Sequence, residues 1–392
     1  MAELKDNEKI KTIAFYLPQY HTIPENDKYW GQGFTEWTNT KKAKPLFEGH
    51  YQPKTPLNEN YYNLLDDDVK IWQAELAKKY GLYGFCYYHY WFKGGKKLLE
   101  KPLEQMLQNK KVDLPFCLCW ANESWTKNWD GGNKEVIVLQ EYGNQDEWKL
   151  HFDYLKDFFL DERYITLNGK PVFLIYKPEL IPNVSEMLKF WNEEAKKIGL
   201  DGICFMIQNS SWYYTPSFDM TGFSYQIRFQ PHDSMRYESK NMNYVKMEQK
   251  CYRIIKKLHL NKLYDTFRNK VSTYRQKSRS SELTTRSYDE AWNTILNSKS
   301  DSNIVEGAFV DWDNTARKVT GMLHEGATPE KFEKYMKKLY MKIEKNNSLP
   351  VVFLNAWNEW GEGAYLEPDT LHEYKYLEAL KKANNSYNKK EG

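Results

Sequence analysis

Leu349-Pro-Val-Val-Phe-Leu354 runs directly into Asn355-Ala-Trp-Asn358-Glu359-Trp360-Gly361-Glu362-Gly363, and the architecture follows from this junction. The first segment is a short, continuous apolar run rich in β-branched and aromatic residues, the mark of a strand buried on both faces of a parallel sheet. The second places two carboxylates three residues apart, among tryptophans and glycines, where that strand gives way to a loop. Cleaving or making a glycosidic bond calls for such a pair, one group serving the leaving oxygen and the other the opposite face of the sugar. Tryptophan faces suit the apolar C–H faces of sugar rings, and glycine lets the backbone approach a ligand closely. The plainer alternative is a loop with solvated glutamates and core tryptophans.

Working back from this junction, seven further strand-like runs precede it: Thr12–Leu17, Gly84–Tyr88, Phe116–Trp120, Val172–Tyr176, Gly202–Ile207, Thr221–Tyr225 and Gly307–Trp312, with the eighth at Pro350–Asn355. Helical patterns separate several of them, over Asp66–Tyr80, Ser185–Ile198 and Pro329–Lys345. Alternating strand and helix predict a parallel sheet, and eight such units predict an α/β fold closed as a (β/α)8 TIM barrel with its site at the C-terminal face. An open doubly wound sheet is the alternative, but Pro18-Gln-Tyr-His21 stands where a glycine-rich phosphate loop would follow strand one. Residues 1–392 thus read as one catalytic domain, with a long loop at 18–63 after strand one. A basic, mainly helical insertion is expected at 231–300 after strand six. From Arg236 to Arg279 it carries 13 Lys/Arg against 3 Asp/Glu. That charge suits either a solvated helical face or peripheral contact with an anionic membrane or lipid-linked acceptor, with Lys250, Arg253, Lys256 and Lys257 on one face.

Composition narrows the function. The 392 residues are 41% hydrophobic and 28% charged, with a formal net charge of only +3. No global field demands nucleic acid, and no run approaches the roughly 20 apolar residues of a membrane span. Thirty tyrosines, 14 tryptophans and 19 phenylalanines are the excess, and their motifs carry acids rather than the basic surface a nucleic-acid binder needs. Five cysteines, four of them inside apparent strands, predict reduced thiols in a cytoplasmic protein, and Met1–Ile10 shows no export signal. No His or Asp spacing suggests a metal, and no cofactor is expected.

The segment Asn358-Glu-Trp-Gly-Glu-Gly363 resembles the signature of glycoside hydrolase family 99, and the chain resembles the related WbsX-type proteins, assigned as glycosyltransferases of bacterial surface-polysaccharide synthesis. Ala14-Phe-Tyr-Leu-Pro-Gln-Tyr-His21, Gly33-Phe-Thr-Glu-Trp-Thr-Asn39, Gly84-Phe-Cys-Tyr-Tyr-His-Tyr-Trp-Phe92 and Trp120-Ala-Asn-Glu-Ser-Trp125 carry the same resemblance, from about residue 12 to about residue 375. It implies a retaining enzyme. Glu359 would help the sugar 2-hydroxyl attack its own anomeric carbon, and Glu362 would act as general acid and then base. A glycosyltransferase of O-antigen or capsule assembly is expected, with an oligosaccharide or lipid-linked glycan as substrate. A retaining endo-acting hydrolase is the alternative, and a non-catalytic glycan-binding barrel the more distant one.

Around the catalytic pair, the strand ends and the motifs supply the expected substrate contacts. Strand two delivers His89, Tyr90 and Trp91, and strand three Asn122, Glu123 and Trp125. Strand seven delivers Asp311 and Asp313, which alternation would place on one face. Tyr20, His21, Glu36 and Trp37 come from the loop after strand one, and Asn358 and Trp360 from the glutamate motif itself.

Overall fold

In the computed structural model, described over residues 1–5, 9–127, 135–209, 220–236 and 282–388, eight parallel strands close into a barrel. They are β1 (Lys11–Tyr16), β2 (Gly84–Trp91), β3 (Phe116–Trp120), β4 (Lys170–Ile175), β5 (Cys204–Asn209), β6 (Tyr225–Arg228), β7 (Ile304–Phe309) and β8 (Val351–Asn355). Each pairs with the next, and β8 pairs back onto β1 with Val351 opposite Lys11 and Leu354 opposite Ala14. The expected (β/α)8 barrel is the fold. Phe15 on β1 meets Tyr88 of the neighbouring β2, Phe353 of β8 and Phe229 just beyond β6. Because β1 and β6 are not neighbours, that last contact crosses the barrel interior, which is therefore filled rather than hollow.

Among the described residues the helices are α1 (Pro24–Trp30), α2 (Glu36–Lys42), α3 (Asp67–Lys79), α4 (Lys101–Gln108), α5 (Gln145–Phe159), α6 (Val184–Lys197), α7 (His232–Arg236), α8 (Tyr288–Asn297), α9 (Pro329–Lys345) and α10 (Lys375–Asn388). Several begin where a short polar side chain takes the orphan N–H groups of the first turn: Asp66 for α3, Asn144 for α5, Ser287 for α8 and Thr328 for α9. None of the helices among the described residues is long and apolar enough to cross a membrane.

Two expectations needed adjustment, and a third falls largely outside the described residues. Strand six lies at Tyr225–Arg228 rather than Thr221–Tyr225, because Thr221 and Gly222 form a turn in which Gly222 has φ 92° and Phe223 N–H bonds the Met220 carbonyl. Strand seven ends at Phe309, and Asp311 then bonds its own chain at Trp312 N–H (2.8 Å). Asp311 and Asp313 therefore share a loop, not a strand face. Of the expected insertion at 231–300, residues 237–281, including Lys250, Arg253, Lys256 and Lys257, lie outside the described residues. Its last part, α8, is a barrel helix, with Trp292 stacked on Phe309 of β7.

Candidate active site

The loop after β8 is held in place by its own asparagine. Asn358 is fully buried, its amide oxygen accepting from Leu17 N–H (2.8 Å) and its amide nitrogen donating to the Leu17 carbonyl (3.0 Å). This two-bond clamp ties the motif to the end of β1, so Asn358 positions the site and is not itself turned to substrate. Tyr20 adds a second tie, its hydroxyl donating to the Asn358 carbonyl and accepting from Trp360 N–H. Trp360 stacks on Tyr365 at 3.8 Å and donates its indole N–H to Glu367 (2.7 Å).

So anchored, Glu359 and Glu362 meet on a single cation. Arg317 donates through Nη1 to Glu362 (2.6 Å), through Nη2 to Glu359, and through Nε and Nη2 to Glu36 (3.1 and 2.8 Å). Glu36 reaches this point from the first turn of α2, whose start is set by reciprocal Thr35 and Thr38 bonds. The motif glycine makes the cluster possible: a Cβ on Gly361 would lie 2.5 Å from the Glu36 carboxylate and 2.8 Å from Arg317 Nε.

Three carboxylates thus share one guanidinium in a largely buried site. Burial raises the Glu359 pKa to about 8, with Glu362 and Glu36 adding to the rise and Arg317 opposing it. Burial also raises that of Glu362, again against Arg317. Glu359 and Glu362 thus hold a proton between them near neutral pH and titrate as a pair. One site can therefore present an acid and a base side by side. Tyr90, its hydroxyl accepting from Gln19 (3.0 Å), and Tyr88, accepting from Gln208 (2.9 Å), both lie within the field of Glu359. Burial keeps both phenols protonated, as donors. Among the described residues no cluster of His, Cys, Asp and Glu could hold a metal ion.

Most of the remaining expected contacts face protein. His89 Nε2 meets His151 Nε2 at 2.8 Å, both rings buried and neutral, and Trp91 stacks on His151 at 4.6 Å. His21 is buried with Nδ1 on the Pro18 carbonyl (3.0 Å), and Trp37 donates to the Tyr62 carbonyl (2.8 Å). Asn122 clamps Lys177 through both backbone groups (2.7 and 2.8 Å), while Glu123, half exposed, pairs with the Lys177 ammonium (2.5 Å). Trp125 packs edge-on against Tyr90 and donates to Asn26 (3.3 Å). Trp125→Ala is accordingly expected to cost about 3–5 kcal/mol of stability, as truncating a core aromatic does. Denaturant titration reads this directly, and an unchanged midpoint with weakened sugar binding would make the ring a subsite after all.

Asp313 accepts from His50 (2.9 Å), Gln52 (2.7 Å) and Thr315, whereas Asp311 pairs with Lys54 (3.0 Å) and stays partly open. Arg317, His50 and Lys54 escaped the reading of the sequence. For Arg317 one signal existed, its position four residues beyond Asp313 in the loop after a barrel strand.

A closed eight-stranded barrel with a glutamate pair after its last strand has the paired acids that glycosidic-bond chemistry uses. The chain is a member of the glycosyltransferase WbsX family, which matches residues 12–380. It is 32% identical over 374 residues to the uncharacterized protein WxcX from two strains of Xanthomonas campestris pv. campestris, covering 95% of this chain. The chain spans about half the length of these relatives, 49%. Among solved structures, the GH99 endo-alpha-mannosidase from Bacteroides thetaiotaomicron shares the fold, with a TM-score of 0.53 and 13% identity over 96% of this chain and 97% of that one. A glycoside hydrolase-like protein is alike to the same degree, with a TM-score of 0.53 and 11% identity over 96% and 94%.

Proposed function

We propose that the protein transfers a glycosyl group with retention of anomeric configuration, in the assembly of a bacterial surface polysaccharide. The observation that carries this reading is the seating of Glu359 and Glu362 on neighbouring nitrogens of one guanidinium. That arrangement keeps the carboxyls close, as retaining enzymes have them, whereas inverting enzymes leave about 6.5–9.5 Å for a water. Glu359 takes the proton of the donor 2-hydroxyl as O2 attacks C1, and Glu362 gives its proton to the departing glycosidic oxygen. An acceptor hydroxyl then opens the resulting 1,2-anhydro sugar at C1, passing its proton to Glu362 while Glu359 returns one to O2. Glu359, with its pKa raised to about 8, is a better base once ionised than an ordinary carboxylate, and the raised pKa of Glu362 suits an acid. WbsX membership favours a sugar acceptor. Water in its place makes the same residues an endo-acting hydrolase.

Incubation with candidate oligosaccharides, with and without a sugar acceptor, separates the two readings. Mass spectrometry should show an extended glycan only when acceptor is present, and NMR of the first product should show the donor's anomeric configuration. Inverted product would overturn retention, and free sugar alone would favour the hydrolase.

A further inference from the structure

Gly363 also lines a cavity of about 260 Å³, walled mainly by the loops after β1, β7 and β8, and none of Glu36, Arg317, Glu359 or Glu362 is in its wall. Its proximity to the motif is backbone to backbone: Asp313 N–H bonds the Glu362 carbonyl at 2.7 Å, and a Cβ on Gly363 would lie 3.0 Å from Lys54 Cε. Two polar groups in its wall have hydrogen-bonding capacity to spare. Asp311, with its side chain 21% exposed, uses one oxygen for Lys54 and the other for Trp312 N–H, which leaves a lone pair on each. His324 is 4% exposed, and neither ring nitrogen has a partner among the described residues. Burial holds its pKa down to about 3, so the ring is neutral, with one donor and one acceptor.

The chemistry of the wall selects the ligand. Asp311, Asp313, Glu325 and Asp369 outnumber Lys54, the ammonium of which already pairs with Asp311, so a phosphate or carboxylate would be repelled. A neutral imidazole and a carboxylate in one wall instead match sugar hydroxyls, each of which both donates and accepts. At the mouth, Phe47, stacked on His50, and Leu371 are 39% and 52% exposed, offering apolar surface to C–H faces. The volume lies just below the roughly 300–1,000 Å³ of common ligand pockets, room for one ring rather than a chain.

We infer that this cavity holds one neutral sugar residue, with Asp311 and His324 taking its hydroxyls. Its assignment to the acceptor glycan rests on the transfer reading above, whereas sugar binding itself does not.

The test uses the Glu362→Gln protein with 15N-labelled histidine, which separates binding from turnover. Methyl α-glucoside, methyl α-mannoside, methyl α-galactoside and inorganic phosphate are titrated in turn. At least one glycoside should shift the His324 ring nitrogens while leaving those of His89 and His151 in place. Asp311→Asn and His324→Phe should each weaken that glycoside, read by saturation transfer, by about tenfold or more. A response to phosphate but to no glycoside, no response at all, or glycoside binding equal in both variants would overturn the inference. Loss of the proposed reaction would show separately, as a Glu362→Gln protein with normal turnover.

Discussion

Glu359→Gln and Glu362→Gln are each expected to lower turnover by about 10²–10⁴-fold, the usual worth of one positioned acid or base. An amide keeps the shape and can still meet Arg317 through its oxygen, so the fold should persist. Stability should in fact move the other way for Glu359. Its carboxyl is protonated more readily in the folded protein than in the unfolded chain, so its contribution is favourable at low pH. That contribution is lost as pH rises from the ordinary carboxylate range towards about 8. Glutamine at 359 escapes this loss, and its melting temperature relative to the parent should climb between pH 5 and pH 8. A Glu362→Gln protein of near-normal turnover would remove the acid from the mechanism. A Glu359→Gln protein with no pH-dependent gain would mean that the carboxyl is already ionised.

The second large effect concerns Arg317. Replacing it with Met strands three carboxylates without their cation, and breaking a buried pair in this way costs about 3–5 kcal/mol. The loss should be greater at pH 8 than at pH 5, since without the guanidinium the carboxyls can relieve repulsion only by staying protonated. Turnover should fall as well, because Glu359 and Glu362 lose the fork that holds them side by side. Lys at 317 restores charge but not the fork, and should recover stability better than activity. Chemical denaturation of both variants at the two pH values decides the matter. A loss independent of pH would show that the cluster is not electrostatically strained.

How much of this was legible beforehand follows from where the information sits. β8 and the glutamate pair could be read directly, because a doubly buried parallel strand is a continuous apolar run and two acids at its end have few structural uses. The other strands could be read for the same reason, except where a glycine turn mimicked one at Thr221-Gly222 or where strand seven ran on into a loop. Side-chain direction was not legible. Trp91, Trp125 and Trp360 suit a sugar platform and a protein core equally well in composition, and only packing distinguishes them. Arg317 was hidden because a lone arginine has no pattern until the fold brings Glu36 to it from 281 positions away. Glu367, buried and held by Tyr62, Gln73 and Trp360, was hidden in the same way.

The clamp between Asn358 and Leu17 spans 341 positions and closes the barrel at the seam where its first and eighth strands meet. During synthesis β1 emerges early and waits with an open edge while seven further units are made. Until β8 arrives nothing can pair that edge or seat the glutamates. The glutamate pair therefore has no seat in the nascent chain, and the unpaired edge of β1 is open to mispairing while it waits. A ribosome pausing before residue 351 holds seven strands of an open sheet and no glutamate motif. Co-expressed fragments split ahead of β8 should regain activity only by restoring that seam.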